Sequence, residues 1–311
     1  MSGEKIAIVG AGLAGSVLAK TLHDAGAKIT VFEKSGGTGG RLATRRTDFG
    51  AFNHGAQYLS AKTPAFRGLL TGLAHAGSVK EWSPHSKDRE AIWHVGEPGM
   101  SSVVKPLLDG VSLHKRTRVV DVAAGVDGAA LSSEDGALGT FDRVAVTVPT
   151  PQAYDLLAGY DPVFQSLATV RYAPCWTVMA VFDGAVDTPD FVRGHADSPI
   201  GWMARAFAGE NTGYVVQAGA DWSRDHLELE KDDAARQILD AARELFDLPD
   251  PIHLDAHRWR YSLVERPLGT AFVASRDNRV FAAGDGMLGG RAESAFESAR
   301  ALADHLKSVI A

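Results

Sequence analysis

Three glycines spaced as Gly10-x-Gly12-x-x-Gly15 follow the apolar residues 6–9 of this 311-residue sequence. The first permits a sharp turn. The second has no side chain, so a pyrophosphate can reach the backbone. The third lets a helix pack closely on the strand before it. A helix that starts there turns N–H groups and a partial positive charge toward phosphate. Glu33 stands about 20 residues farther on, where a carboxylate accepts hydrogen bonds from ribose hydroxyls and repels a 2′-phosphate. The turn Gly10, Ala11, Gly12, Leu13, Ala14, Gly15 thus reads as a dinucleotide cradle, the alternative being an ordinary glycine-rich strand-to-helix turn.

Two more stretches have chemistry-bearing residues. Gly39-Gly40-Arg41-Leu42 places an arginine beside paired glycines, where it can reach a pyrophosphate; read alone, the alternative is a flexible surface loop. Far downstream, Phe281-Ala282-Ala283 runs into Gly284-Asp285, with Gly290-Arg291-Ala292-Glu293-Ser294-Ala295 close behind.

These residues need a frame. Residues 5–9 read as a buried strand, 13–25 as a helix stopped by Gly26, and 28–32 as a second strand closed by Glu33. That order is half of a nucleotide-binding βαβ unit. Residues 119–122 read as a strand. Residues 126–131 and 143–148 alternate like hairpin partners, with Asp135-Gly136 as the turn signal. Residues 175–182 and 214–218 belong to a different sheet, 232–245 to an amphipathic helix, 279–283 to a last strand and 292–310 to a closing helix. The fold class expected is α/β: a discontinuous Rossmann-like cofactor domain from residues 1–62, 103–152 and 262–311, and an α+β substrate domain from 63–102 and 153–261.

Composition narrows the function. A net charge of −6 gives no reason for unspecific nucleic-acid binding. Cys175 is the one cysteine, which excludes an internal disulfide and a cysteine metal cage, and it reads as a packing residue. His253 and His257 are four apart, but the stretch reads as a strand, and no metal is expected. No export signal is evident, and no run approaches the ~18 apolar residues of a membrane span. A cytoplasmic protein with no membrane partner is the expectation.

Taken together, the Gly10–Gly15 turn, Glu33, Gly39-Gly40-Arg41 and Gly284-Asp285 resemble the flavin-containing amine oxidase superfamily. The resemblance implies FAD, and the cofactor-contacting set it implies includes Lys34 after Glu33 and Leu42 after Arg41. Gly55-Ala56-Gln57-Tyr58 is similar to the family's passage near the isoalloxazine, and Val119-Val120 to the strand at the adenine end. In the family, the aspartate matched by Asp285 bonds the ribityl chain, and a helix N-terminus matched here near Ala292 and Ala295 faces the flavin pyrimidine. Some members attach flavin through a cysteine shortly before the C-terminal Gly-Asp; none stands there, so the FAD is expected to be non-covalent.

Across the substrate half, residues 95–100, 201–205, 221–223 and 256–259 look like bacterial renalase-like proteins. What that resemblance implies is oxidation of 2- or 6-dihydro isomers of NAD(P), with hydride passing to FAD and electrons on to molecular oxygen, giving hydrogen peroxide. The substrate would be a small dinucleotide. Arg291 stands where amine oxidases commonly place an aromatic cage residue; it would repel a cationic amine and welcome an anion or carboxamide, or else pair with Glu293 or an FAD phosphate. Trp259, Tyr261, Trp176 and Trp202 offer a wall for a flat ring, with core packing the alternative for each. Arg258 and Arg205 can meet an anion or lie ion-paired at the surface, and His257 is a hydrogen-bonding candidate or a core histidine. Hydride loss from a dihydropyridine needs no general base, and no triad is evident. The rivals are an amine oxidase or desaturase acting on another small molecule, and a flavin-fold binding protein without catalysis.

Overall fold

The computed structural model describes residues 3–83, 93–194 and 198–310. β1 (Lys5–Val9) leads through the glycine turn into α1 (Leu13–Asp24), and β2 (Lys28–Glu33) returns parallel to β1 with Ile6 opposite Ile29. Ile6 and Ile8 face one apolar cluster and Ala7 and Val9 another, so β1 is covered on both sides, as parallel strands must be. Two small hairpins follow, β3 (Arg45–Arg46) with β4 (Ala51–Phe52), and β5 (Val79–Trp82) with β6 (Trp93–Gly96). Between them lies α2 (Pro64–His75), capped by the Thr63 hydroxyl, which accepts from the Phe66 N–H at 3.2 Å. β7 (Ser112–Lys115) extends the parallel sheet beyond β2.

β8 (Val119–Gly125), β9 (Gly128–Ser133) and β10 (Gly136–Phe141) form an antiparallel sheet of their own. This corrects the expected hairpin: the partner of β9 is β10, and β11 (Arg143–Val146) instead enters the parallel sheet beside β1. The Asp135-Gly136 turn is tight, so β9 pairs with the next residues in the chain, although Gly136 and Gly139 disguise them as a loop. α3 (Thr150–Leu157) then packs with the three-stranded sheet on one face of the parallel sheet, through Ala153 and Leu157.

The second large sheet comprises β12 (Arg171–Asp183), β13 (Phe191–Arg193), β14 (Ile200–Phe207), β15 (Asn211–Ala218) and, after α4 (Ala220–Asp225) and α5 (Lys231–Arg243), β16 (His253–Arg266). Its order is β13-β14-β15-β12-β16, which leaves β16 on an edge. β12 starts four residues earlier than expected because a register shift against β16 absorbs Pro174, which has no N–H for the ladder. Trp176, Val178, Ala180 and Phe182 pack against Ala234, Ile238 and Leu239 of α5, while Met179 and Val181 meet Phe52 on the opposite face.

The chain then returns to the first sheet through β17 (Phe272–Ala274) and β18 (Val280–Ala283), followed by α6 (Asp285–Leu288) and α7 (Ala292–Ile310). The six strands run in the order β17-β18-β11-β1-β2-β7. α7 packs on α1 in one core, with Ala299, Leu302 and Leu306 buried alongside Val17 and Leu18. The architecture is α/β, a Rossmann-like sheet, parallel but for β17, joined to an antiparallel second sheet with helices. Among the described residues no helix is long and apolar enough to cross a membrane.

Candidate functional site

The C-terminal ends of β1 and β2 open on a cavity of about 1580 Å³, whose far wall is the second sheet. The glycines divide their work. A Cβ on Gly15 would stand 2.0 Å from the Gly10 carbonyl oxygen, so Gly15 permits close packing. A Cβ on Gly12 would meet only the Gly39 oxygen, at 3.9 Å, so the space beside Gly12 is open toward the cavity. Gly12 is also the N-cap of α1, with no side chain capping it and no acid in the first turn. Leu13 and Ala14 line the cavity at that helix start. Free N–H groups, an open approach and the helix dipole are what a pyrophosphate requires, so these residues fit the dinucleotide implied by the sequence.

Ala11 and Gly15 lie behind this surface. The Ala11 N–H donates to Glu33 Oε2 at 2.9 Å and the Ser35 N–H to Oε1 at 2.8 Å. Glu33 therefore shapes the turn as well as lining the cavity, next to Lys34 and Val120. Lys34 reaches Gln152 Oε1 at 3.3 Å. Gly39, with φ of 116°, donates its N–H to the Ala11 carbonyl at 2.8 Å and brings Gly40, Arg41 and Leu42 to the cavity.

Arg41 and Asp285 meet each other across 244 residues. Arg41 Nη1 and Nη2 donate to the two Asp285 oxygens at 2.7 and 2.6 Å, and Nη1 also donates to the Ser262 carbonyl at 2.9 Å. Burial on its own would lower the Arg41 pKa, but the Asp285 carboxylate reverses this and holds it above the usual arginine value. Burial raises the neighbouring Tyr172 phenol, whose ring lies 5.6 Å from the guanidinium. Arg41 is thus a fixed cation in the wall, and Gly284 and Asp285 line the cavity beside it.

Gly55 and Ala56 line the cavity; Gln57 and Tyr58 are not among its lining. Gln57 Nε2 turns back to the Asn53 carbonyl, and Tyr58 stacks on Trp93 with centroids 3.8 Å apart, drawn into an apolar cluster with Trp82, Phe191 and Trp202. Arg291, Ala292 and Ala295 line the cavity at the start of α7. The Arg291 guanidinium donates to the Ser60 carbonyl at 2.9 Å and pairs with Glu293 at 3.3 Å. Burial opposes the Glu293 charge, but the Thr63 and Lys62 N–H groups keep its carboxyl below the usual range.

On the second sheet, His257, Trp259 and Tyr261 project from alternate positions of β16 and line the cavity. Trp259 Nε1 donates to the His54 carbonyl at 2.9 Å. The His54 ring stands edge-on to His257 at 5.0 Å. Burial pushes His54 down to about 4 and also lowers His257, so both imidazoles are neutral at pH 7. Trp202 lines the cavity, whereas Trp176 is core. Arg258 lines it, and Arg205 is held elsewhere by Asp190 and the Thr188 carbonyl. Cys175 lines the wall opposite Trp259, and burial pushes its thiol up to about 11. Sequence reasoning passed over His54, Arg260 and Gln217; His54 had one signal, its position just before Gly55. No cluster of three or more His, Cys, Asp or Glu suited to a metal occurs among the described residues.

Residues 92–307 match the family described as flavin containing amine oxidoreductase, and residues 8–73 match the NAD(P)-binding Rossmann-like domain. Protoporphyrinogen oxidase 2, chloroplastic/mitochondrial, of Arabidopsis thaliana is 32% identical over 100 residues, which cover 32% of this chain and 19% of the plant protein. The match thus spans about a fifth of that relative's length. A solved structure assigned as a protoporphyrinogen oxidase from Exiguobacterium sp. 255-15 superposes with a TM-score of 0.79 at 15% identity, over 98% of this chain and 99% of that one. Cyclohexylamine oxidase from Brevibacterium oxydans IH-35A gives 0.71 at 14% identity, over 98% and 99%. A putrescine oxidase variant gives 0.74 at 14%, over 99% of each chain. At these identities the solved structures share the fold.

Proposed function

The chain belongs to the flavin containing amine oxidoreductase family with FAD as its cofactor, and from that premise we propose that it oxidises 2- or 6-dihydro isomers of NAD(P). The observation that carries this reading is the charge of the cavity. Ten Lys and Arg and three Asp and Glu line it among the described residues, in a chain whose acids outnumber its bases by 38 to 32. Five of the ten cations, Arg45, Arg118, Arg258, Arg260 and Arg291, are paired with carboxylates just outside the lining, so a phosphorylated substrate is accommodated where it displaces one of those partners. A protonated amine would be repelled.

The three carboxylates are placed away from proton transfer at the aromatic wall. Glu33 is bound to turn amides, Asp285 to Arg41, and Asp155 lies on α3 near the Lys34 end. A hydride donor needs no base. It needs a flat surface for close approach, which Trp259 and Tyr261 offer beside the His257 imidazole. Arg291, held by Ser60 and paired with Glu293, lines the same cavity, where a guanidinium N–H suits a carboxamide oxygen. When bound, FAD is the hydride acceptor, and molecular oxygen takes the electrons to give hydrogen peroxide. No cysteine stands shortly before Gly284-Asp285, the one cysteine being Cys175 on β12, which supports non-covalent binding. We assign cofactor binding to residues 1–62, 103–152 and 262–311 and substrate binding to 63–102 and 153–261.

A second reading, oxidation of another small molecule, is favoured by the relatives themselves, since a carboxylate-bearing tetrapyrrole would also suit a cationic cavity. Anaerobic mixing with 2-, 4- and 6-dihydro-NAD(P) separates the two. Bleaching of the visible flavin band by the 2- or 6-isomer but not the 4-isomer is expected. If every isomer leaves the flavin oxidised while protoporphyrinogen or an amine reduces it, the nicotinamide reading is wrong.

A further inference from the structure

Two guanidinium groups lining the cavity are already closed around a carboxylate. Arg260 Nη1 and Nη2 donate to the two Glu228 oxygens at 2.7 and 2.8 Å, and Arg258 Nη1 donates to Oε2 at 3.1 Å. Arg258 is held from two further sides, by the Leu227 carbonyl at 2.6 Å and by the Trp176 ring, 5.5 Å from its guanidinium. Both arginines sit on β16 on either side of Trp259 in sequence, and both line the cavity. Glu228 comes from the segment between α4 and α5, and its side chain is 70% exposed.

We infer that Arg258 and Arg260 form a phosphate subsite for the substrate, and that Glu228 is a resident stand-in which a phosphorylated ligand displaces. The fork geometry that binds a carboxylate at two points binds phosphate in the same way. With two cations around one carboxylate the cluster keeps a net positive charge. Glu228 is 70% exposed, so its carboxylate returns to water readily when a phosphate with more charge and more acceptor oxygens takes its place. The fork and the aromatic wall leave opposite faces of β16, which is an edge strand. Consecutive residues are about 3.3 Å apart along it. A ligand whose ring lies on Trp259 therefore reaches the fork by passing over the free strand edge with a sugar-sized spacer. That is the build of a nucleotide. The inference deepens the nicotinamide reading, and rests on it for the identity of the ring.

The test uses FAD-loaded protein, so that the cofactor's own phosphate site is filled. Nicotinamide riboside, nicotinamide mononucleotide, NAD and inorganic pyrophosphate are titrated calorimetrically against wild type, Glu228→Gln and Arg260→Gln. Glu228→Gln is expected to tighten the phosphorylated ligands by roughly three- to tenfold, and Arg260→Gln to weaken them by as much and flatten their salt dependence. The riboside should bind equally to all three proteins. Pyrophosphate binding that follows both variants, in a protein whose flavin no dihydro isomer reduces, keeps the subsite and sinks the nicotinamide reading. Phosphorylated ligands that ignore both substitutions, fail to bind, or shift no more than the riboside overturn the subsite.

Discussion

Gly12→Ala and Gly15→Ala should fail in opposite ways, although the two glycines are three residues apart in one turn. At Gly15 the new methyl would stand 2.0 Å from the Gly10 oxygen and 2.7 Å from Thr147 Oγ1, where ordinary contact begins at 3.4 Å. The backbone must open by about 1.4 Å to make room. Alanine favours a helix over glycine by about 1 kcal/mol, but an overlap of that depth costs more, about 1–3 kcal/mol or above. Gly15→Ala should therefore lower the stability of the apoprotein. At Gly12 the methyl meets nothing closer than 3.9 Å, and φ is an ordinary −79°. Only a poorer N-cap opposes it, at about 0.5 kcal/mol. Yet that methyl fills the space through which a pyrophosphate must reach the α1 amides. Losing one or two charged hydrogen bonds, about 1.5–3 kcal/mol, weakens FAD roughly ten- to a hundredfold. Urea unfolding of the apoprotein and flavin fluorescence titration measure the two effects separately. A Gly12→Ala protein with wild-type FAD affinity, or a Gly15→Ala apoprotein of wild-type stability, would refute this division of labour.

Two other outcomes follow from buried charge. Arg41→Met strands the Asp285 carboxylate, whose side chain is 11% exposed, and should cost about 3–5 kcal/mol in apoprotein unfolding, whereas the double variant Arg41→Met/Asp285→Leu should regain most of it. A double variant that loses the sum of both single effects would contradict the pairing. The folded His54 pKa, pushed down to about 4, lies below the unfolded value of about 6.5. The unfolded chain thus binds the proton first, so stability is full above about pH 6.5 and falls as pH drops toward 4, by up to about 3 kcal/mol from this residue. His54→Phe should flatten that part of a plot of melting temperature against pH; an unchanged slope would mean that His54 is not held neutral.

The elements legible in the sequence are those whose signals are local. Apolar runs bounded by glycine marked β1, β2, β18 and both ends of α1, and α7 begins and ends where its pattern does. β10 was illegible because Gly136 and Gly139 interrupt its alternation, which left 143–146 to be taken for its partner. At the site, the cradle residues were readable because each acts through its own backbone. The Arg41–Asp285 pair joins residues 244 apart and the Trp259–His54 bond residues 205 apart, and side-chain choices at that range depend on the finished fold. Tyr58 illustrates the same limit: the stretch around it is near the cavity, but ring packing on Trp93 took the side chain elsewhere.

The strand order β17-β18-β11-β1-β2-β7 bears on how the molecule comes into being. β1 emerges first in synthesis, its neighbour β11 more than a hundred residues later, and β18 near the end. α1 cannot complete its core until α7 arrives to cover Val17 and Leu18. The glycine turn, braced early by Glu33 and Gly39, therefore sits beside an incomplete core through nearly all of translation. Loop closure over such distances is slow, and the half-built sheet exposes both apolar faces and an unpaired edge while it waits. The cavity is lined by Gly12 near one end of the chain and by Asp285 and Arg291 near the other, so it is complete only once those ends have met.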